Sequence, residues 1–496
     1  MTSAWILSDL LGKISYSTVL GPTGIPVSGI TCDSREVQAG DVFAALRGFK
    51  SDGRTYAEEA FSRGARVVLA HAEPLGPLPQ DAAWVVCPSD REAFSAACAA
   101  LYRTADNPVK LAGVTGTNGK TTCAYLLRSI FREAGGAGML GTIEVDDGEG
   151  LHPAVRTTPE AHLIHRWLRT LAERGLPYAA MEVSSHALAL HRVSDLRFAA
   201  AGFTNLTRDH LDFHITMDAY YGTKKALFDL LLPGGVAVLN LDDPYGIRLA
   251  ADLDRHRVWT VGRKSPADLR PERLSMDLQG VRCTFKTPCG DVRVRSALTG
   301  QFNLENLLVA AGTALAAGAS PDQAAAGIEA LRGVPGRLER IDRGQPFSVF
   351  VDYAHTDDAL KNLLQTLREL GSKRLITVFG CGGDRDKAKR PLMGAVAARL
   401  SDVVILTSDN PRTEDPEAIA RDAEMGILPE ISGGKAYERV LDRRQAMGRA
   451  LDLAGEGDAV VVAGKGHERD QTTGTTKREF HDPTVLGELL GGMGWR

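Results

Sequence analysis

The sequence predicts an α/β protein of more than one domain, in which open, largely parallel sheets are covered by helices. Three observations carry this. A strand, a glycine-rich turn and a helix follow one another over residues 109–133. Apolar runs of strand length alternate with helical patterns along most of the chain. A proline–glycine string, GVPGR at 333–337, separates two such alternating stretches. At 496 residues the chain is too long for one core, so roughly two to four domains are expected.

The first segment, to about Asn107, mixes short strands at 42–46 and 66–70 with a helix-like run at 91–102 and ends in the linker TADNP. The second begins with the apolar strand before the glycine-rich turn. It continues through strands at 179–183, 198–206 and 236–241, and closes on an alanine- and leucine-rich helix at 304–317. Beyond GVPGR, the strands SVFVDY, RLITVFG, DVVILTS and AVVVAG alternate with helices near 359–370, 392–400, 416–425 and 440–454. The 44% hydrophobic and 24% charged content is that of an ordinary globular protein, and a net charge of −4 argues against bulk attraction to nucleic acid or anionic membrane. The start lacks a basic region followed by a long apolar one, and no stretch approaches a membrane span, so neither export nor stable membrane insertion is expected. Seven cysteines without a CxxC pair read as buried or incidental thiols of a reducing cytoplasm, Cys381 included.

The run GVTGTNGKTT, residues 113–122, carries the sharpest chemical signal. Backbone N–H groups of such a turn and the positive end of the following helix point at phosphate oxygens. Gly116, Thr117, Asn118, Gly119, Lys120, Thr121 and Thr122 are therefore candidate ATP ligands, with Lys120 reaching the β/γ-phosphates and the Thr121 hydroxyl holding Mg²⁺. Val114 stands where G-x-x-x-x-G-K-[ST] has its first glycine, so the match is incomplete. Glu182 ends a buried strand, where a carboxylate can hold Mg²⁺ directly or through water. TNLTRDHLDFH places His210 at the next strand end, a candidate metal or substrate ligand, although a lone loop histidine is more often only hydrogen-bonded. RTTPE at 156–160 offers two hydroxyls ahead of a proline-started helix. Asn303 and Asn306 share a helix face and read either as nucleotide contacts or as simple capping. Arg337, after the proline–glycine turn, could swing onto phosphates. Four polar loops, DYAHT, GCGGDRD, SDNPR and GKGHE, each follow a strand of the last segment, at the edge where open parallel sheets bind ligands.

TGTNGKTT, MEVSSH, TNLTRDHLDFH, GQFNLEN, GRLE, DYAHT, GCGGDRDKAKRP, DNPR and AGKGHE occur in the order of the Mur ligase family, which the whole chain resembles. The resemblance implies a three-domain Mur ligase architecture: a UDP-substrate-binding domain at 1–107, a central P-loop parallel-sheet ATPase domain at 108–333, and a C-terminal Rossmann-like amino-acid-binding domain at 334–496. It implies cytoplasmic synthesis of a peptidoglycan precursor, with ATP and Mg²⁺ forming an acyl phosphate that an amine attacks, and with closure of domains around the reaction centre. Ser34, Phe49, Lys50, Ser51, Thr157, Thr158, Ser184 and Arg192 are implied contacts of UDP-N-acetylmuramoyl-L-alanyl-D-glutamate. Lys120, Glu182, His210 and Lys224 are implied catalytic residues, Thr121, Glu182 and His210 metal ligands, and Lys224, in YYGTKKALF, a carbamylated lysine. Arg385, Asp409, Asn410, Pro411, Arg412, Gly464 and Glu468 are implied to hold the added amino acid, with meso-diaminopimelate expected over L-lysine or L-ornithine. Leu190 and Asp357 replace the family's usual glutamine and proline, the second bearing on how the following helix starts. Folylpolyglutamate synthetase has a similar ATP core but is not expected to share the N-terminal domain. A nucleotide-binding regulator without chemistry would need no second site.

Overall fold

The computed structural model describes residues 5–48, 51–253, 258–264 and 266–495. Two compact units divide the chain. One is Met1–Arg270 with Lys286–Gly290 and Leu307–Gly327; the other is Pro271–Phe285 with Asp291–Asn306 and Ile328–Arg496.

The first unit holds two larger sheets. In the five-stranded sheet Gly29–Thr31, Asp41–Ala45, Val67–Ala70 and Ala83–Val86 run parallel, and Thr18–Leu20 pairs antiparallel with Ala83–Val86. Val67–Ala70 is buried along its whole length, as a strand covered on both faces must be. The helix Asp90–Leu101 packs on this sheet, capped by Ser89, whose Oγ accepts from Glu92 N.

The eight-stranded sheet has the order Leu151–Pro153, Glu144–Asp146, Ala137–Leu140, Tyr178–Glu182, Lys110–Thr115, Phe198–Phe203, Leu231–Asn240, Val258–Val261. Six strands are parallel; the two at the Leu151–Pro153 edge pair antiparallel. From Lys110–Thr115 the chain first winds to one side, to Ala137–Leu140, and later to the other, to Phe198–Phe203. Lys110–Thr115 is therefore the topological switch point, where open sheets leave a crevice for ligands. The helix Lys120–Glu133 starts directly from the glycine-rich turn, with Gly119 at φ 87.

In the second unit Ser348–Asp352, Ala459–Ala463, Leu375–Phe379, Val403–Leu406 and Ala436–Arg439 form a parallel sheet in that order, with Glu339–Arg340 antiparallel at one edge. Ala459–Ala463 is buried throughout, and its three valines contribute about 1.5–3 kcal/mol each on leaving water. The last of the parallel strands in sequence thus lies beside the first of them, Ser348–Asp352. Four of the strands have the positions that alternation predicts. The helix expected at 440–454 is shorter, Arg443–Leu453, because Ala436–Arg439 is taken into the sheet edge and Asp442 caps the helix by accepting from Gln445 N at 2.9 Å.

Candidate active site

Gly116 and Gly119 shape the turn after Lys110–Thr115. A Cβ on Gly116, at φ 150, would stand 1.9 Å from Thr204 Oγ1, so only glycine lets the turn lie against the next strand end. Thr204 Oγ1 donates to Asn118 O at 2.6 Å, Asn205 Oδ1 accepts from Asn118 N at 2.9 Å, and Thr117 Oγ1 accepts from Thr207 N at 3.0 Å. The TNLT segment therefore holds the turn open from outside.

Two lysines converge on this turn. Lys120 Nζ donates to Gly116 O at 2.9 Å and Thr117 O at 2.8 Å. Lys224 Nζ, on the helix Met217–Lys225, donates to the same Gly116 O at 2.8 Å and lies 4.8 Å from the centre of the Tyr220 ring. Lys224 is buried; that burial and the neighbouring Lys120 push its amine well below the ordinary lysine value, against the opposing pull of Asp209. Two amines thus share one backbone carbonyl at the start of the helix Lys120–Glu133.

Glu182 is fully buried at the end of its strand. Its Oε1 accepts from Thr142 N at 2.7 Å, and its Oε2 accepts from Thr142 Oγ1 at 2.9 Å and Thr121 Oγ1 at 3.1 Å. Thr142 is a partner that sequence reasoning does not single out; it lies just past the strand Ala137–Leu140, and a Cβ on its neighbour Gly141 would stand 2.9 Å from Glu182 Oε1. Thr158 Oγ1 donates to Glu182 O at 2.8 Å and accepts from Ser184 N at 3.1 Å, while Thr157 Oγ1 accepts from Thr142 Oγ1 at 3.1 Å. Arg192 joins this group through Thr158 O at 3.0 Å and Glu160 at 2.7 Å. Ser184 caps the short helix Ser185–Ala189, and Leu190 follows as its C-cap. Glu160, not Pro159, precedes the first residue of Ala161–Glu173, so the proline lies one residue before the cap rather than in the first turn.

His210 is half-exposed, at φ 51, with Nε2 3.4 Å from Asp209. The short helix Leu211–His214 is bracketed by His210 and by Ile215 at φ 66, two non-glycine residues in the left-handed region, where strain gathers at functional sites. His186 packs at 4.9 Å from the His210 ring, and His214 Nε2 pairs with Ser185 Oγ at 2.9 Å. Burial, then the neighbouring positive groups, lower both His186 and His214 from the usual histidine value. Oxygen donors suit Mg²⁺, so Thr121 and Glu182 fit that ion with phosphate oxygens and water completing its shell. Among the described residues no group of three or more His, Cys, Asp or Glu is gathered as a metal site.

In the five-stranded sheet's loops, Ser34 is buried and donates to Glu59 Oε2 at 2.7 Å, and Ser51 O accepts from Gly48 N at 3.0 Å. Phe49 and Lys50 lie outside the described residues.

The second unit brings the four polar loops to the carboxyl ends of four adjacent strands. A Cβ on Gly383 would stand 1.9 Å from Pro411 O, which brings GCGGDRD directly onto DNPR. Arg412, at φ 51, donates to Gly383 O at 2.6 Å, and its own N–H donates to Thr472 O at 3.0 Å. Among the described residues Arg385 donates only to its neighbour's carbonyl, Asp384 O, at 3.3 Å. Asn410 Nδ2 donates to Glu468 Oε2 at 2.8 Å and Asp409 Oδ1 at 3.2 Å. Burial raises the Asp409 carboxyl, with Arg443 and Lys465 opposing. The Cβ position of Gly464 is 3.0 Å from Asp409 Oδ2. Arg390 braces the cluster, binding Glu414 at 2.8 Å and Gly382 O at 3.2 Å and holding Glu414 down to about 2. Burial pushes Cys381 up to about 12, so it is no nucleophile.

Arg337 stacks over Tyr353 at 5.0 Å. Asn303 does not cap its helix: Gln301–Ala316 begins two residues earlier, and Asn303 Nδ2 donates back to Thr299 O at 2.9 Å while accepting from Asn306 Nδ2 at 3.3 Å. Asp357 is the first residue of Asp357–Glu369, with Thr356 as cap, so an acidic residue takes the first-turn place that proline otherwise fills.

A glycine-rich turn at a sheet switch point, two lysines over it and a buried carboxylate beside its threonine define a phosphate-loop nucleotide enzyme. Family models match three stretches: "Mur ligase family, catalytic domain" at 26–103, "Mur ligase middle domain" at 114–314 and "Mur ligase, glutamate ligase domain" at 336–466. The chain belongs to the Mur ligase family. It is 44% identical over 494 residues, 99% of each chain, to the UDP-N-acetylmuramoyl-L-alanyl-D-glutamate–2,6-diaminopimelate ligase of Solibacter usitatus. It is 43% identical over 495 residues, 96% of each, to the protein of that name in Geobacter metallireducens. A solved structure of a ligase of the same name is similar at a TM-score of 0.73, 34% identity and 99% coverage of both chains.

Proposed function

We propose that this protein is an ATP-dependent ligase that joins meso-diaminopimelate to the D-glutamate γ-carboxylate of UDP-N-acetylmuramoyl-L-alanyl-D-glutamate, in cytoplasmic peptidoglycan precursor synthesis. Full-length similarity to ligases bearing that name supports the reaction. The observation that carries the choice of amino acid is that the strand-end loops of one sheet supply two arginines, Arg385 and Arg412, and a carboxylate, Glu468, the last held by Asn410, which precedes Arg412 by two residues. The distal carbon of diaminopimelate carries both a carboxylate for a guanidinium and an ammonium for Glu468. Lysine and ornithine lack that carboxylate and would set a cation against the arginines, a penalty that creates discrimination.

A carboxylate is a poor electrophile, so ATP first converts it to an acyl phosphate, which the amine then attacks with loss of phosphate. Lys120 and the N–H groups of 116–122 stabilise charge on the transferring oxygens. Thr121, Glu182 and His210 are assigned to Mg²⁺, which when bound neutralises phosphate charge. Lys224 is assigned as carbamylated. Its low-lying amine adds CO₂, forming an N–C bond and releasing a proton, and the anion replaces a cation that would repel the metal. Asn303, Asn306 and Arg337 are assigned to the nucleotide. Ser34, Phe49, Lys50, Ser51, Thr157, Thr158, Ser184 and Arg192 are assigned to the UDP substrate. Segments 1–107, 108–333 and 334–496 are assigned to the UDP substrate, to ATP and to the added amino acid respectively. Folylpolyglutamate synthesis is disfavoured because the match at 26–103 covers the segment that reaction does not need.

The test is phosphate release from ATP and the UDP-dipeptide with a panel of amino acids at equal concentration. Release that depends on meso-diaminopimelate supports the reading. Preference for lysine or ornithine overturns the amino acid only, and release with a folate but not the UDP-dipeptide overturns the reaction.

A further inference from the structure

The lysine of the GKGHE loop is buried completely, with no side-chain surface exposed. Its Nζ donates to Asp470 O at 2.5 Å, Glu468 Oε2 at 3.1 Å and Asn410 Oδ1 at 3.5 Å, with Asp409 Oδ1 at 4.0 Å. Three protons thus meet three acceptors.

Two of the residues it touches, Asn410 and Glu468, are otherwise constrained. Asn410 Oδ1 also accepts from Thr472 N at 2.9 Å, and its Nδ2 protons go to Asp409 and Glu468. The amide is satisfied on both sides by protein atoms, so its orientation is set and it acts as a brace. Glu468 is asymmetric. Oε2 accepts from both Asn410 and Lys465, whereas Oε1 accepts from no group among the described residues, and the side chain is one-third exposed. One oxygen is fastened and the other is presented.

We propose that Lys465 is a positioning residue for the added amino acid: by fastening Glu468 Oε2 together with Asn410, it aims Glu468 Oε1 at the ammonium on the substrate's distal carbon. This rests on the diaminopimelate reading. Lys465 touches no substrate; it acts through Glu468. A lysine in a glycine-rich loop reads as solvated from sequence, and only its complete burial beside two carboxylates distinguishes it.

The experiment compares meso-diaminopimelate with 2-aminopimelate of the same configuration at the reacting centre, which keeps the distal carboxylate and lacks the distal ammonium. Lys465→Met, Lys465→Gln, Glu468→Gln and Lys465→Met/Glu468→Gln are assayed for kcat and for KM of each substrate. The expected result for Lys465→Met is a KM for meso-diaminopimelate raised at least about tenfold, as loss of a charged hydrogen-bond partner implies. KM for ATP and the UDP-dipeptide should stay within about twofold, the preference over 2-aminopimelate should collapse, and Glu468→Gln should add little to the double variant. A uniform fall in kcat, equal losses on both amino acids, or additive effects of the two changes would overturn the proposal. If Lys465→Met lacks the native melting transition, the same comparison on Lys465→Gln decides. Failure of both to fold makes the lysine structural and overturns it too. A wild-type enzyme that ignores meso-diaminopimelate sinks the substrate reading instead, so the two failures are distinguishable.

Discussion

Replacing Asp482 by Ala strips a buried guanidinium of its counter-charge. Arg443 and Asp482 are the first residues of the helices Arg443–Leu453 and Asp482–Gly492, and neither side chain has any exposed surface. They meet through two bonds, Nε to Oδ1 at 2.9 Å and Nη2 to Oδ2 at 2.6 Å, and Nη2 also donates to Ala463 O at 3.2 Å. Arg443 Nη1 has no hydrogen-bond partner among the described residues. The position is otherwise hostile, because a cation at a helix N-terminus opposes the dipole. At 2.6 Å the pair's gross attraction is about 6 kcal/mol for an effective dielectric of 20, and most of it offsets desolvation. Asp482→Ala removes two charge-assisted bonds and leaves only the one to Ala463 O, so the expected cost is about 3–5 kcal/mol. A chain of this size does not unfold in one step, so the readout is native-state hydrogen exchange on the amides of Ala459–Ala463. Opening there should become about a thousandfold more frequent, and an Arg443→Met/Asp482→Leu pair should recover most of the loss. Acceleration of less than about tenfold would refute the electrostatic reasoning. A double variant as poor as the single one would assign the cost to shape.

Lys120→Ala should lower ligation about a hundredfold or more while leaving the circular dichroism spectrum intact; full activity in the folded variant would remove the lysine from the phosphate site. Gly116→Ala, with its Cβ 1.9 Å from Thr204 Oγ1, should raise KM for ATP about tenfold through strain of about 1–3 kcal/mol, and an unchanged KM would refute the steric argument. Bicarbonate carrying an isotopic label should give a carbamate NMR signal that Lys224→Ala lacks, whereas identical spectra and activity would refute modification. His162, against the Phe94 ring, and His165, whose Nδ1 pairs with Thr104 Oγ1, are pushed by burial from the usual 6.5 to about 4 and about 3. Their folded values lie below the unfolded one, so the unfolded chain takes up more protons and stability falls as pH drops from 6.5 toward 4. His162→Phe should flatten that slope in a melting-temperature profile, and an unaltered slope would show that other groups govern it.

What could be read from sequence was local. The turn at 113–122 is legible because glycine, lysine and threonine each answer a nearby geometric need, and the four strand-end loops because alternation places strands before it places them beside one another. Pairing itself was not legible. Nothing in AVVVA shows that Ala459–Ala463 slides between Ser348–Asp352 and Leu375–Phe379, since that is settled by which faces remain to be covered. Thr142 and Lys465 were passed over because their partners Glu182 and Glu468 are respectively 40 and 3 residues away, and in neither case does spacing reveal burial. The start of Arg443–Leu453 was legible in principle: Asp442 followed three residues later by Gln445 is a capping signature, hidden by the apolar residues just before it.

Lys120, folded back on Gly116 O and Thr117 O, makes the glycine-rich turn a site that imitates its own ligand. The carbonyls take the lysine's protons as phosphate oxygens would, so the turn is tied together by its own chain. An arriving nucleotide need not create order; it exchanges one set of oxygens for another around a cation already in place. Association then requires two internal bonds to break, which lowers affinity modestly while sparing the loop's ordering entropy. Lys224, sharing Gly116 O, makes that exchange sensitive to its own charge: an anion in its place frees the carbonyl and leaves Lys120 a single cation facing the incoming phosphates.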